Sequence, residues 1–308
     1  MLNLCRWARP TRVEGPTPMG LRFLHCSDIH LLSLRGVGPH QFLNKRFVGG
    51  ANLLLRRAKQ HEEALFDRLL EHARTEAVDR LVITGDLSNL ALDQEFAHIA
   101  AKLEGAGMPV TVIPGNHDAY TRGAQRRRGF ERTFGAYMRG AQASPDDLDY
   151  YPFVQRFGQI ALIGVSTAHA SLPLYAVGAV GESQLTRLDT ILRELGEAEM
   201  TRVVLIHHPV IQGEAKPRHD LTDLGAFGAV IAARGAELIL HGHEHRMIEG
   251  ILPGPGGTVP VHGVSSATNL SVQAGREAAF SIYEVGGSGI DRAVFRWDGA
   301  DFGRESAS

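Results

Sequence analysis

Cysteine is nearly absent from this 308-residue chain, with only Cys5 and Cys26 present. Cys5 lies in an N-terminal stretch containing Pro and Gly, and Cys26 lies in an apolar run. That pairing gives no basis for a structural disulfide, and a zinc site built on thiolates would need more cysteines. Long hydrophobic runs are missing as well. The longest, "GAFGAVIAARGAELIL", is interrupted by Arg234 and Glu237 and falls short of the roughly 18 residues that span a bilayer. The N-terminus carries basic residues but no apolar core of the kind a secretory signal needs. A net charge of −2 says nothing about partners. These absences point to a reducing compartment, and the cytoplasm is the expected location.

With 44% apolar and 21% charged residues, the sequence reads as an ordinary globular protein. Residues 1–19 are expected to be a disordered extension ending at Met19, 20–298 a single domain, and 299–308 a small polar tail that frays. Runs that are apolar at nearly every position suit strands covered on both faces. They occur at 21–27, 79–85, 109–115, 160–166, 202–208 and 237–242. Helical spacing appears between them at 61–76, 92–107 and 182–195. Alternation of strand and helix implies an α/β sheet. "TVPVHGVSS", "AAFSIYEV" and "AVFRW" then follow in quick succession and read as an antiparallel meander, entered through a turn at 252–257.

Five of these strands end in side chains able to bind metal. Asp28 and His30 follow the first, Asp86 and Asn89 the second ("GDLSN"), and Asn116, His117 and Asp118 the third ("GNHD"). His207 and His208 close the strand at 202–208, and His241, His243 and His245 the last ("HGHEH"). Ligands of open α/β sheets gather beyond the carboxyl ends of strands, so these clusters are expected to converge. Carboxylate oxygens, an amide oxygen and imidazole nitrogens suit manganese, iron or zinc. Seven candidate ligands exceed what one ion needs, but with a shared carboxylate they serve two. Two ions about 3.5–4 Å apart can activate water and neutralise both the attacking and the leaving oxygen of a phosphoryl group.

The ordered series D-x-H, G-D-x-x-N, G-N-H-D, H and G-H-x-H resembles the calcineurin-like metallophosphoesterase superfamily over about residues 21–270. The resemblance implies an α/β fold of two facing mixed β-sheets flanked by helices. Residue by residue, it implies one divalent ion on Asp28, His30, Asp86 and His245. A second would rest on Asp86, Asn116, His207 and His243, with Asp86 bridging. It further implies in-line attack on phosphorus by a hydroxide held between the ions. His117 would stabilise the phosphoryl oxygens or protonate the leaving group, with Asp118 holding its ring. The expected class is therefore a metal-dependent phosphoric ester hydrolase, first a phosphodiesterase similar to bacterial cyclic-nucleotide or glycerophosphodiester enzymes. The second reading is a pyrophosphatase of the UDP-diacylglucosamine type, acting on a nucleotide-linked lipid. A non-catalytic metal-binding scaffold ranks last, because every ligand position and His117 are retained.

Other polar residues have plainer readings. Asn89 suits a supporting or helix-capping role rather than direct ligation. Strand alternation turns His208 and His241 away from the ligand face, and Cys26 suits a buried filler. His169 and His219 are weaker candidates for substrate contact. Residues 31–61 contain Arg35, Lys45, Arg46, Arg56, Arg57 and Lys59 and no acid, and Arg122, Arg126, Arg127, Arg128 and Arg132 follow the G-N-H-D motif. Such runs are usually solvated faces. Flanking a cleft, they would attract a phosphate-rich substrate, and residues 35–59 would suit peripheral contact with an anionic membrane. No dedicated nucleic-acid module is visible.

Overall fold

The apolar runs become strands with both faces covered. The computed structural model describes residues 20–34, 37–38, 62–139, 150–172, 175–271, 273–287 and 289–305. The N-terminal extension and most of the first basic run lie outside them. In chain order, the first half holds β1 (Gly20–Cys26), α1 (Glu63–Thr75), β2 (Arg80–Ile83), α2 (Asp93–Glu104), β3 (Val110–Val112), α3 (Arg122–Arg127) and α4 (Gly129–Phe134). Then come β4 (Phe153–Phe157), β5 (Ile160–Gly164), α5 (Glu182–Glu197), β6 (Thr201–Leu205), α6 (Leu224–Arg234) and β7 (Leu238–His241). The chain closes with β8 (Ile248–Gly254), β9 (Gly257–Gly263), β10 (Ala279–Gly286), β11 (Gly289–Trp297) and β12 (Phe302–Arg304).

Two six-stranded mixed sheets result, ordered β12-β11-β10-β1-β2-β3 and β4-β5-β6-β7-β9-β8. The inner strands of each run parallel: β1 with β2 and β2 with β3 in one, β5 with β6, β6 with β7 and β7 with β9 in the other. Alternation along the second sheet divides its side chains between two cores. Leu162, Val203, Leu205, Leu238 and Leu240 join the core shared with the first sheet. Ala161, Ile163, Val204 and Ile239 pack with Leu188, Leu192, Phe227 and Ile231 of α5 and α6. On the first sheet, α1 buries Leu65, Phe66, Leu69, Leu70 and Ala73. Each buried Leu or Phe contributes about 1.5–3 kcal/mol, which fixes the layers firmly enough to aim the loops at the strand ends.

Several expectations are corrected. The C-terminal meander is split: β9 leaves it to pair parallel with β7 in the second sheet, while β10, β11 and β12 extend the first. The turn at 252–257 does lead into the first of these strands, β9, as the hairpin that joins it to β8. Residues 302–304, inside the segment expected to fray, form β12 and bury Phe302. Strand β4, strand β8 and helix α6 had no clear sequence signal. In α6, Gly225 and Gly228 dilute the helical pattern, and only Phe227 and Ile231 are fully buried.

Candidate metal centre

Strands β1, β2, β3, β6 and β7 all end at one edge of the molecule, and the chain leaves each of them through a tight loop. Beyond β1 and β2 the loops stay paired: Asp28 N–H donates to Gly85 O at 3.0 Å, His30 N–H to Asp86 O at 3.1 Å and Leu31 N–H to Leu87 O at 3.0 Å. Across the sheets, the His243 N–H donates to Asp28 Oδ2 at 2.9 Å. Of the nine described non-glycine residues with positive φ, five are predicted ligands: Asp28, His30, Asp86, His243 and His245, at 54°, 44°, 51°, 77° and 49°. Left-handed backbone at non-glycine residues concentrates where function holds it in place. Two glycines make the approach feasible. A Cβ on Gly115 would fall on the Asp86 carboxylate, and one on Gly242 would fall on Ser27 and Asp28.

The seven predicted ligands come together as two adjoining clusters. In the first, His245 Nε2 lies 3.2 Å from both Asp28 Oδ1 and His30 Nε2. In the second, His207 Nε2 lies 3.2 Å from His243 Nδ1 and 3.2 Å from Asn116 Oδ1. Asp86 stands between, with Oδ1 3.5 Å from His207 Nε2 and Oδ2 3.8 Å from His30 Nε2. Asp28, His30 and His245 could hold one metal ion, and Asp86, His207 and His243 another. Asp28 Oδ1 is buried and has no hydrogen-bond partner. With the His245 and His30 ring nitrogens beside it at 3.2 and 3.9 Å, a buried carboxylate oxygen is costly unless a positive charge meets it, so the donor set fits a metal. The His207 ring is pre-set for such a role: its Nδ1–H donates to Thr84 O at 2.8 Å, leaving the Nε2 lone pair facing the cluster.

Electrostatics agree. Burial pushes the Asp86 carboxyl up, but the neighbouring His207, His117 and His30 outweigh it and hold it well below the carboxylate range. Burial would lower the His207 imidazole, yet Asp86 and Asp28 raise it to about 9. The carboxylates thus draw positive charge to this spot, a demand that a divalent cation also answers.

His117 also sits at the centre, its ring edge-on to that of His30 with centroids 4.9 Å apart. Its expected partnership with Asp118 does not occur. His117 Nδ1–H donates to Asn89 O at 2.7 Å. Asp118 instead clamps two loops: Oδ2 accepts from Leu87 N at 3.1 Å and Gly115 N at 3.0 Å, and Oδ1 from Ser88 N and Ser88 Oγ, both at 2.9 Å. The carboxylate is saturated by the loops that carry Asp86 and Asn116, so a backbone carbonyl orients the ring. Asn89 is supporting, as expected, and its Nδ2 donates to His30 O at 2.7 Å. Sequence reasoning missed Glu95, which is fully buried and accepts from Asn89 N, Leu90 N and Leu92 N at 3.2, 3.0 and 3.0 Å. Its only local signal was an acid in the first turn of α2.

His208 and His241 are buried, as is Cys26, whose thiol is pushed up by burial and by Asp28. Both His208 nitrogens are engaged, Nδ1 with Thr167 Oγ1 at 2.6 Å and Nε2 with Ala176 O at 3.0 Å. Among the described residues no helix is long and apolar enough to cross a membrane.

Two facing sheets with paired Asp/His clusters at their strand ends define a class of bimetal-competent α/β sandwich. A sequence profile described as calcineurin-like phosphoesterase matches residues 21–247, and the chain belongs to that family. It is 25% identical over 185 residues to a protein of Rhodopseudomonas palustris named probable cyclic nucleotide phosphodiesterase, covering 59% of this chain and 61% of that one. A protein of the same name from Psychrobacter arcticus is 23% identical over 187 residues, covering 59% and 62%. The match therefore spans about three fifths of these curated relatives. Among solved structures, a dimetal phosphatase from Danio rerio superposes with a TM-score of 0.58 at 15% identity, covering 92% of this chain and 98% of that one. Purple acid phosphatase from yellow lupin seeds also gives 0.58, at 12% identity, over 90% of this chain and 51% of that one. At those identities the two structures show the shared fold.

Proposed function

We propose that this chain is a dinuclear-metal phosphohydrolase whose preferred substrates are phosphodiesters, with cyclic nucleotides the first to test. The observation that carries the reading is the placement of Asp86, whose two carboxylate oxygens face different clusters at 3.5 and 3.8 Å. In this reading Asp28, His30, Asp86 and His245 hold one divalent ion, and Asp86, Asn116, His207 and His243 the other. The pair of ions supplies Lewis acidity and an activated water at neutral pH. The chain's own contribution is positional. Thr84 O and Asn89 O fix the tautomers of His207 and His117, each with its Nε2 turned toward the site. When protonated, His117 Nε2 donates to a phosphoryl oxygen or to the departing alkoxide; Nδ1–H stays on the Asn89 carbonyl throughout. The names of the curated relatives support the diester preference.

The pyrophosphatase reading rests on the basic and apolar stretch at 31–60, most of which lies outside the described residues, and no structural observation favours it. The decisive assay compares hydrolysis of bis-p-nitrophenyl phosphate and p-nitrophenyl phosphate by chelator-stripped protein resupplied with Mn²⁺, alongside Asp86→Ala. Metal-dependent turnover favouring the diester and lost in the variant is the expected result. Turnover of neither compound with Mn²⁺, Fe²⁺ or Zn²⁺ would sink the proposal.

A further inference from the structure

His243 presents one ring nitrogen to the second cluster, and its other nitrogen faces away from it. Nδ1 lies 3.2 Å from His207 Nε2. Nε2 is buried without a hydrogen-bond partner, 4.0 Å from Glu244 Oε1. Glu244 Oε1 is itself buried, with His219 Nδ1 3.3 Å away. Burial pushes the Glu244 carboxyl up, but His219 outweighs it and holds it below the usual carboxylate range, so this oxygen already draws positive charge. His219, His243 and Glu244 thus direct three donor atoms at one small volume, all within 4.8 Å of one another. Their spacings of 3.3 and 4.0 Å compare with 3.2 to 3.9 Å in the first of the clusters already described. They also approach the roughly 3.3 Å edge of a tetrahedron with zinc-to-ligand bonds of about 2.05 Å.

We infer that His219 Nδ1, His243 Nε2 and Glu244 Oε1 form an accessory cation site, suited to zinc, that shares His243 with the dinuclear centre and opposes its loading. Two imidazoles and one carboxylate are a recurrent zinc set with a fourth position left open. The open side is that of His219, whose side chain is 37% exposed while those of His243 and Glu244 are 3% and 7% exposed, so an ion has a way in. The loop bearing His219 is tied down, its own N–H donating to Lys216 O at 2.7 Å, and Arg218 O accepting from Ala176 N at 2.8 Å. Of the nearby cations, Arg246 is held by Glu214. The opposition follows from imidazole chemistry. A neutral ring has one in-plane lone pair, on Nδ1 or on Nε2. An ion on Nε2 forces the proton to Nδ1 and withdraws that nitrogen from the second cluster. This antagonism rests on the dinuclear reading above, whereas the accessory site itself does not.

The test uses the full chain, stripped with chelator and dialysed against buffered zinc, with bound zinc counted by mass spectrometry. In the Asp86→Ala background, where the dinuclear centre no longer competes for His243, His219→Ala and Glu244→Ala are expected to bind one zinc equivalent fewer than the Asp86→Ala parent at high zinc, with melting of the stripped protein unchanged by His219→Ala. In manganese-loaded protein, added zinc is expected to suppress diester hydrolysis, and either substitution should raise the half-inhibitory zinc concentration at least tenfold. Equal zinc uptake by the Asp86→Ala parent and both double variants would overturn the accessory site. Asp86→Ala separates the two ideas. It should lower uptake at the dinuclear centre and leave the His219-dependent equivalent in place. Undiminished uptake in Asp86→Ala would count against the dinuclear reading and not against this one.

Discussion

Replacing Asp118 by Asn separates the two roles available to that residue. The substitution preserves shape but converts one acceptor oxygen into an NH₂ donor. If the amide turned its NH₂ toward Leu87 and Gly115, two backbone N–H groups would lose the side-chain acceptor they share, Oδ2. The better orientation aims NH₂ at Ser88, whose hydroxyl can rotate to accept, and leaves only the Ser88 N–H unmatched. One buried donor without a partner costs about 1–3 kcal/mol. An offset exists, because burial and the Asp86 charge push the Asp118 carboxyl up to about 7, so ionised Asp118 is itself costly and Asn avoids that cost. At about 1.4 kcal/mol per pH unit that cost is roughly 4 kcal/mol at pH 8, so it outweighs the unmatched donor, and urea unfolding of the stripped protein at pH 8 should show Asp118→Asn at least as stable as wild type. Because the clamp joins the loops of Asp86 and Asn116, metal affinity should fall roughly 10–100-fold, with turnover falling in step and recovering at high metal. A variant that binds metal as wild type does, yet loses turnover, would refute this account and restore Asp118 as the partner of His117.

Two further outcomes test the supports around the site. Gly242→Ala places a methyl group against Ser27 and Asp28, and overpacking of this kind costs about 1–3 kcal/mol; thermal melts should drop and the first metal should be lost, so an unchanged melt with full metal content would contradict the packing. Burial pushes the Glu95 carboxyl up to about 7 against the pull of three backbone N–H groups, whereas the unfolded chain ionises near 4.5. The folded form then holds a proton that the unfolded form releases, so stability is full below pH 4.5 and declines as pH rises toward 7. At about 1.4 kcal/mol per pH unit the loss approaches roughly 3 kcal/mol. Unfolding free energies of stripped wild type and Glu95→Gln between pH 4.5 and 7.5 should diverge by that amount, the variant being the flatter; parallel profiles would show Glu95 ionised in the fold.

The parallel heart of the fold was legible because buried parallel strands are apolar at nearly every position, and each ran straight into polar ligands. What escaped was set by partners distant in sequence. "TVPVHGVSS" is as good a strand for one sheet as for the other, and its pairing with β7 is decided by the core that Val259 and Val261 join. Phe302 was read as part of a polar tail, but its ring lies 5.0 Å from Phe280 and 5.4 Å from Trp297. The site divided in the same way. Ligand types and order could be read from motifs, because metal chemistry restricts which side chains serve. The residue that orients His117 could not, because the acceptor is a main-chain carbonyl of Asn89, and any residue carries one.

That division bears on how the centre keeps its geometry. Five predicted ligands have left-handed backbone, and such strain costs of order 1–3 kcal/mol per residue, a sum comparable to the net stability of a domain. It persists because the loops are over-determined from both sheets. Ser266 Oγ donates to Asp28 O at 2.7 Å, Thr268 Oγ1 to Ile29 O at 2.9 Å, and Asn89 Nδ2 to His30 O at 2.7 Å. The Asp28 carboxylate reaches the other way, accepting from the His243 N–H. Each of these bonds ends on main chain, so each fixes a backbone direction rather than a side-chain rotamer. A ligand ring that takes no part in these bonds, such as that of His245, can therefore be exchanged with the frame intact, whereas loss of Asp118, Glu95 or Ser266 should disperse ligands that remain chemically present. Substitutions of the first kind should abolish metal binding at nearly unchanged stability, and those of the second should lower both together.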